Sequence, residues 1–488
     1  MSSPFFTRYR LPVYGILIVA FALLVALGAA ISGSDNSRLL YLCALFAICA
    51  SPLLYIDRFN GRHAILCVFL ATYFVFYGAL DLQNVFSSSL AAEEDVLTLA
   101  ELAALGGALL VCGGYSLGLI LTRSRGAKRP VKDWSATTAV VVGLLIWAAG
   151  TVAIWTWQVH FQRNGVETDY SAGQTVLAIT VLGRMVQPLG VLILAYGYLL
   201  NRSRVVLSLL IAVVLIGVVV GFFGDSKELG MRAALLVVLA SFLVEGKIPR
   251  AWLAAFVAFA VFAFPVFQGY RAEIIMARGS SRAHALEDIG RTLELALAAR
   301  DKAESGRRAY QRTESFLQRS SLKGNLKLVL AESGNGVAFQ NGRTIWPIVT
   351  VFMPRLLWPD KPDAASGQLF NREFRVSADP RTYISPTHLG ELYWNFGWAG
   401  IFIGMPLIGV LMGAVNGVCD LSRGRSLTRL LIIVTTIYAA CVRFEGGIAL
   451  EYIVWIRSVG VILILHWLFA RARPQAAPAR ASLTAQPA

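Results

Sequence analysis

The stretch S-P-T-H-L-G-E-L-Y-W-N-F-G-W-A-G-I-F-I-G-M-P-L-I-G-V-L-M-G-A-V-N-G-V, Ser385 to Val418, decides how the chain is read. From Leu392 onward it carries no charged side chain until Asp420. That is more than the ~20 apolar residues a helix needs to cross a bilayer core. Its first part is polar. Ser385 and Pro386 read as a helix start, with serine at the N-cap and proline at the first helical position. His388, Glu391 and Asn395 then fall at i, i+3 and i+7 on one face. A helix N-terminus favours anions, and a histidine or carboxylate there can take a proton from a hydroxyl. The plain structural alternative is that Glu391 pairs with an arginine and His388 is interfacial.

Working outward, similar apolar runs recur along all 488 residues. Hydrophobic residues make up 56% of the chain and charged residues 15%, with a mean hydropathy of +0.62. Soluble domains carry about 25% charged residues. The reading is an all-α polytopic membrane protein of about twelve spans. They lie near 11–31, 39–56, 63–80, 96–121, 136–157, 171–200, 205–223, 229–244, 251–268, 391–418, 427–442 and 451–470. Residues 1–268 form an N-terminal membrane region, 269–390 one large loop with short amphipathic helices, and 391–470 a C-terminal membrane region. Residues 471–488 read as a disordered tail.

The net charge is +15 and the isoelectric point about 9.8. A nucleic-acid partner is not implied, because alternate connections hold the Lys and Arg. Arg8 and Arg10, Arg58 and Arg62, Arg123 to Lys132, Arg202 and Arg204, Lys247 and Arg250, Arg423 to Arg429, and Arg471 and Arg473 mark one side. By the positive-inside rule these connections and both termini are cytoplasmic, and the large loop is outside. The loop itself, Gly269 to Gly390, holds 18 Lys and Arg against 12 Asp and Glu. Such a surface suits an anionic ligand, with anionic headgroups the bland alternative. Within it, 283–303 has the spacing of an amphipathic helix. Residues 345–353 are apolar but too short to span, which fits an interfacial piece.

Ionisable residues also fall inside or at the ends of spans: Glu101, Arg184, Arg232, Arg443, Glu445, Glu451 and Arg457. Each needs a partner or a wet cavity. Most would lie toward the outer side, which points to a polar cavity there. Internal pairs such as Glu101 with Arg184, or Glu451 with Arg457, are the structural alternative. In W-P-D-K-P (Trp358 to Pro362) two prolines restrict the backbone. Arg355 and Lys361 beside them could address a phosphate, or sit in a solvated turn. Gly446 and Gly447 would let a ligand approach the backbone, or simply turn it. The six cysteines lie in apolar segments and read as small hydrophobes. The five histidines are scattered, so no metal site is expected.

At P-R-L-L-W-P-D-K-P (Pro354 to Pro362) and G-E-L-Y-W-N-F-G-W-A-G (Gly390 to Gly400) the chain resembles the Wzy-type polymerases of O-antigens and exopolysaccharides. The resemblance implies a GT-C-like integral membrane glycosyltransferase of the bacterial inner membrane. It would polymerise undecaprenyl-diphosphate-linked repeat units at the periplasmic face, with no cofactor. A flippase and a chain-length regulator would be candidate partners. Carried over, Arg355, Lys361, Glu391, Tyr393 and Asn395 fall in the matching motifs. Combined with the span charges, Glu391 and His388 are the catalytic candidates. Arg355, Lys361, Arg184, Arg443, Tyr393 and Asn395 are the substrate-binding candidates. The competing readings are an O-antigen ligase acting on lipid A core and a secondary transporter. The transporter would show internal repeats and helices broken near mid-membrane.

Overall fold

A computed structural model describes residues 4–32, 36–54, 63–86, 98–122, 132–164, 170–223, 227–246, 250–254, 257–258, 322–353, 357–358, 361–362, 364, 366–377, 383–421 and 426–472. Within them the regular structure is helical apart from one two-residue antiparallel pair, β1 (Lys132–Asp133) with β2 (Arg471–Ala472), and an isolated bridge between Ser333 and Val337. The helices are α1 (Pro4–Ser32), α2 (Asn36–Ala50), α3 (Ala64–Tyr77), α4 (Ala79–Phe86), α5 (Leu99–Thr122), α6 (Ala136–Asn164) and α7 (Tyr170–Asn201). There follow α8 (Arg204–Phe223), α9 (Lys227–Glu245), α10 (Lys323–Glu332), α11 (Ser366–Phe374), α12 (Thr387–Val418), α13 (Leu427–Ile437) and α14 (Ile448–Phe469). A 3-10 helix spans Trp346–Phe352, and a π-helical turn, Tyr438–Val442, prolongs α13.

Among the described residues six helical stretches are long and apolar enough to cross a membrane: Leu11–Ala30, Leu99–Thr122, Ala136–Thr156, Leu182–Asn201, Thr387–Val418 and Ile448–Phe469. Four shorter apolar helices accompany them, Leu39–Leu54, Ala64–Tyr77, Arg204–Val219 and Leu427–Val442. The ninth expected span, near 251–268, is described only at 250–254 and 257–258, and the amphipathic helix expected over 283–303 lies outside the described residues. The outward faces are greasy: Trp467 is 81% exposed and Leu11 73%. Exposed apolar surface repeated around the bundle is what a bilayer covers.

Helices in a bilayer gain little from burying apolar surface against one another, so close packing through small residues must hold them. The contact between α5 and α12 is built that way. A Cβ on Gly114 would sit 2.1 Å from the Pro406 carbonyl oxygen, and one on Gly413 2.1 Å from that of Tyr115. Gly118 and Gly409 meet the opposite backbone at 2.3 Å in the same sense. The two backbones therefore touch, and no side chain fits between them. Gly113, one residue round α5 from this seam, has nothing within 4 Å of its virtual Cβ. Gly413→Ala is expected to lower stability by about 1–3 kcal/mol through overpacking. Gly113→Ala should be neutral or gain up to about 1 kcal/mol from helix propensity. Thermal unfolding of the two purified variants in detergent checks this; equal midpoints would mean the seam is not tight.

Polar ties between helices gather at two ends. At one, Asp133 accepts from Tyr196 Oη and from Leu427 N (3.0 Å), and Arg202 pairs with Glu245. Thr428 there meets His466 at 2.7 Å, and β1 pairs with β2. At the other, Lys323 lies between Asp81 (2.6 Å) and Glu101 (3.0 Å), and Tyr77 meets Thr387 at 3.2 Å. Leu322 N also donates to the Phe76 carbonyl there (3.0 Å). The first set joins only connections that the Lys/Arg alternation groups together, and the second only the others. The tail expected from residue 471 begins in β2, and the rest of it lies outside the described residues.

Candidate active site

The site end of the bundle is organised by a break in α12. Phe396 (φ −137°, ψ 16°) and Gly397 (φ 59°, ψ −148°) leave helical geometry. Gly397 sits in the left-handed region, which glycine tolerates best. The break removes helical donors from the carbonyls before it. Gln340 N donates to Trp394 O (2.9 Å) and Asn341 N to Asn395 O (3.1 Å). The Asn395 side chain completes the join. Its Oδ1 accepts from Gly342 N (2.9 Å), and its Nδ2 donates to Thr344 Oγ1 (2.7 Å) and to Glu391 O (2.7 Å). A short polar helix, Thr387 to Asn395, is thereby welded to the 338–344 loop. Trp394 is buried against Phe370 and Phe374 of α11 in a satellite core above it.

The start of α12 falls later than the expected Ser385 cap. Pro386 takes the cap position, and Thr387 Oγ1 supplies the bond to Gly390 N (3.1 Å). Ser385 Oγ accepts from Thr387 N (3.1 Å) instead. A threonine three residues before an N–H does what serine was expected to do.

Glu391 is fully buried. Its Oε2 accepts from Ile448 N (2.7 Å), the first residue of α14, so the carboxylate caps that helix and faces its positive end. Oε1 has no hydrogen-bond partner in the structure, although the Ser366 and Thr344 hydroxyls lie beside the carboxylate. Gly447 makes the approach possible: a Cβ there would lie 2.2 Å from Ser366 Oγ and 3.6 Å from Glu391 Oε2. The hydroxyl end of Tyr383 reaches the same glycine. Burial, followed by the Glu391 charge, pushes its pKa up to about 12.

His388 is also fully buried, but its setting is aromatic. Its ring meets Phe444 edge-on at 4.6 Å and Tyr452 at 5.8 Å, and neither ring nitrogen has a hydrogen-bond partner. The expected single polar face is thus real but divided: Glu391 turns to α14, Asn395 to the 340–344 loop, and His388 to the aromatic rings.

One turn along α14 from the Ile448 N–H that Glu391 caps, Glu451 lines a small cleft of about 50 Å³ that is partly open to the outside. Arg184, Arg232, Tyr438, Glu451, Trp455 and Ser458 supply its polar and aromatic lining. Glu451, buried in the first turn of α14, accepts from Arg443 Nε at 2.8 Å. Glu451 therefore joins Arg443 to the cleft that Arg184 lines. The internal pairs considered from sequence are replaced: Glu101 binds Lys323 rather than Arg184, and Glu451 binds Arg443 while Arg457 is exposed.

The other candidates lie apart. Lys361 Nζ donates to the Met353 carbonyl at 3.1 Å on the surface. Tyr393 packs against Phe339 at a tilt (6.1 Å) and edge-on to Trp398 (5.4 Å) on another face of α12. Arg355 lies outside the described residues. Ser366, Tyr383 and Thr344 reach Glu391 without any sequence signal, since each comes from a separate part of the loop. Among the described residues no group of three or more His, Cys, Asp and Glu is placed to hold a metal ion. No family model, curated protein or solved structure matches the chain.

Proposed function

We propose that the chain is an integral membrane glycosyltransferase that polymerises undecaprenyl-diphosphate-linked oligosaccharide units into O-antigen or exopolysaccharide. The observation that carries this reading is the pairing, at one end of the bundle, of a buried carboxylate with an arginine-lined cleft. In the proposed reaction the bond from the growing chain's anomeric carbon to its lipid diphosphate breaks, and a bond to a hydroxyl of the incoming unit forms. Glu391 Oε1, the unbonded oxygen, receives the hydroxyl proton. Arg184 and Arg443 stabilise the leaving diphosphate, as fixed cations do where charge develops. The Lys/Arg alternation along the connections supports a periplasmic site in a bacterial inner membrane, with both termini cytoplasmic. His388, buried in an aromatic setting, is assigned a packing role beside this centre.

Deletion of the gene tests the reading, with lipopolysaccharide and exopolysaccharide resolved on gels. Single repeat units with loss of long chains is the expected result. Lipid-linked polymer that never reaches lipid A core would instead identify a ligase. Unchanged glycan would overturn both and favour transport.

A further inference from the structure

Helix α14 is long and apolar enough to cross a bilayer, and Arg457 is the only lysine or arginine in it. Arg457 lies nine residues after Ile448 and twelve before Phe469. At 1.5 Å per residue that is about 14 Å from one end and about 18 Å from the other. The side chain is exposed and, among the described residues, makes no hydrogen bond or ion pair. A charge within a span needs a partner or water. An arginine near a helix end can snorkel to the headgroups, but from the middle of this helix its short stem reaches neither.

The same face carries an open glycine. The 3-10 helix Trp346–Phe352 covers the first turns of α14, where Ile348 and Val351 pack with Ala449, Ile453 and Ile456. Arg457, one turn past Ile453, is where that cover ends. Gly460 and Ile464 follow at i+3 and i+7, and both are exposed. A Cβ on Gly460 would meet nothing within 4 Å. Glycine weakens a helix, but in a membrane span it lets the backbone of another helix come close. The seam between α5 and α12 uses glycine in that way, whereas at Gly460 no described residue closes the gap.

An arginine beside an open glycine fits a helix that brings its own carboxylate. A second copy of the chain does not supply one from its spans. Among the described residues the six long spans hold three carboxylates, Glu101, Glu391 and Glu451, and all three are buried. They are taken by Lys323, Ile448 N and Arg443. A two-fold contact through this face would also set arginine against arginine.

We propose that the α14 face around Arg457 and Gly460 is the docking surface for a transmembrane helix of a different membrane protein, one that carries an aspartate or glutamate near the middle of the bilayer. Arg457 forms the ion pair, and Gly460 admits the partner's backbone. The docking holds whatever reaction the Glu391 centre performs.

The test uses the full-length protein, labelled with a fluorescent donor, in phosphatidylcholine vesicles. The probe is an acceptor-labelled synthetic leucine–alanine transmembrane peptide with one central glutamate, beside a twin that has glutamine instead. Energy transfer should show the glutamate peptide associating about 10- to 100-fold more tightly than its twin, the range of a charge-assisted hydrogen bond. Arg457→Leu should erase that preference. Gly460→Ile should weaken association of the glutamate peptide with the charge still in place. Gly113→Ile, at the equally open glycine of α5, should change nothing. Equal association of the two peptides with wild type, an undiminished preference in Arg457→Leu, or the same loss in Gly113→Ile would overturn the proposal. A preference abolished by added phosphatidylglycerol would do so as well, and would give Arg457 to lipid headgroups. So would a wild-type protein that is dimeric in detergent and becomes monomeric on Gly460→Ile, which would give the face to a second copy.

Discussion

Lys323→Met is expected to destabilise the protein by about 3–5 kcal/mol, the range for breaking a buried ion pair by removing one partner. Lys323 Nζ lies 2.6 and 2.7 Å from the two Asp81 oxygens and 3.0 Å from Glu101 Oε1, and all three side chains are at most 13% exposed. Its ammonium also lies 5.5 Å from the Tyr41 ring. Without the lysine, two carboxylates remain close together and away from water. A loss of that size is a large part of the 5–15 kcal/mol that holds a typical domain. Thermal unfolding in detergent measures it. The triple variant Lys323→Met, Asp81→Asn, Glu101→Gln should recover much of the loss, because it removes the charges along with their partner. A single variant within about 1 kcal/mol of wild type would show that the three groups do not act as a closed cluster. The effect should also reach the site. Lys323 begins α10, which packs on α12, and Asn325 of α10 donates to the Ser385 carbonyl at 2.9 Å.

Much of this arrangement could be read in the chain, and the unread part has a common cause. The 387–418 helix and its polar face were legible because periodicity and the absence of charge are local properties. What escaped was pairing. Arg232 and Glu451 were visible as charges in apolar helices, yet their partners are Arg184 O, to which Pro188 cannot donate, and Arg443, fixed by the turn at Gly446 and Gly447. The break at Gly397 escaped as well. Α12 is rich in glycine, and most of its glycines serve packing: Gly409 and Gly413 meet α5, while Gly400 and Gly404 meet Leu392. Only the donors from the 340–342 loop distinguish Gly397, and these come from more than 50 residues away.

Glu391→Gln separates the two roles that geometry gives this side chain. Glutamine keeps the shape, and its carbonyl oxygen can still accept from Ile448 N, so the cap of α14 survives. It loses the charge and the capacity to take a proton. The expected result is a folded protein with a thermal midpoint near that of wild type and polymer synthesis reduced about 10²- to 10⁴-fold, the usual contribution of a general acid or base. Glu391→Ala should lose both activity and stability, because it leaves the Ile448 N–H, 2.7 Å from Oε2 in wild type, buried without its acceptor. The contrast between the two variants is the informative measurement. Full-length polymer from Glu391→Gln would assign Glu391 to helix capping alone, and the proton acceptor would then have to be sought elsewhere around Gly447. Lost polymer with a collapsed midpoint in both variants would point the same way, since the charge would then be acting through the fold. Only a stable glutamine variant that makes single units and no chains fits proton transfer at Oε1.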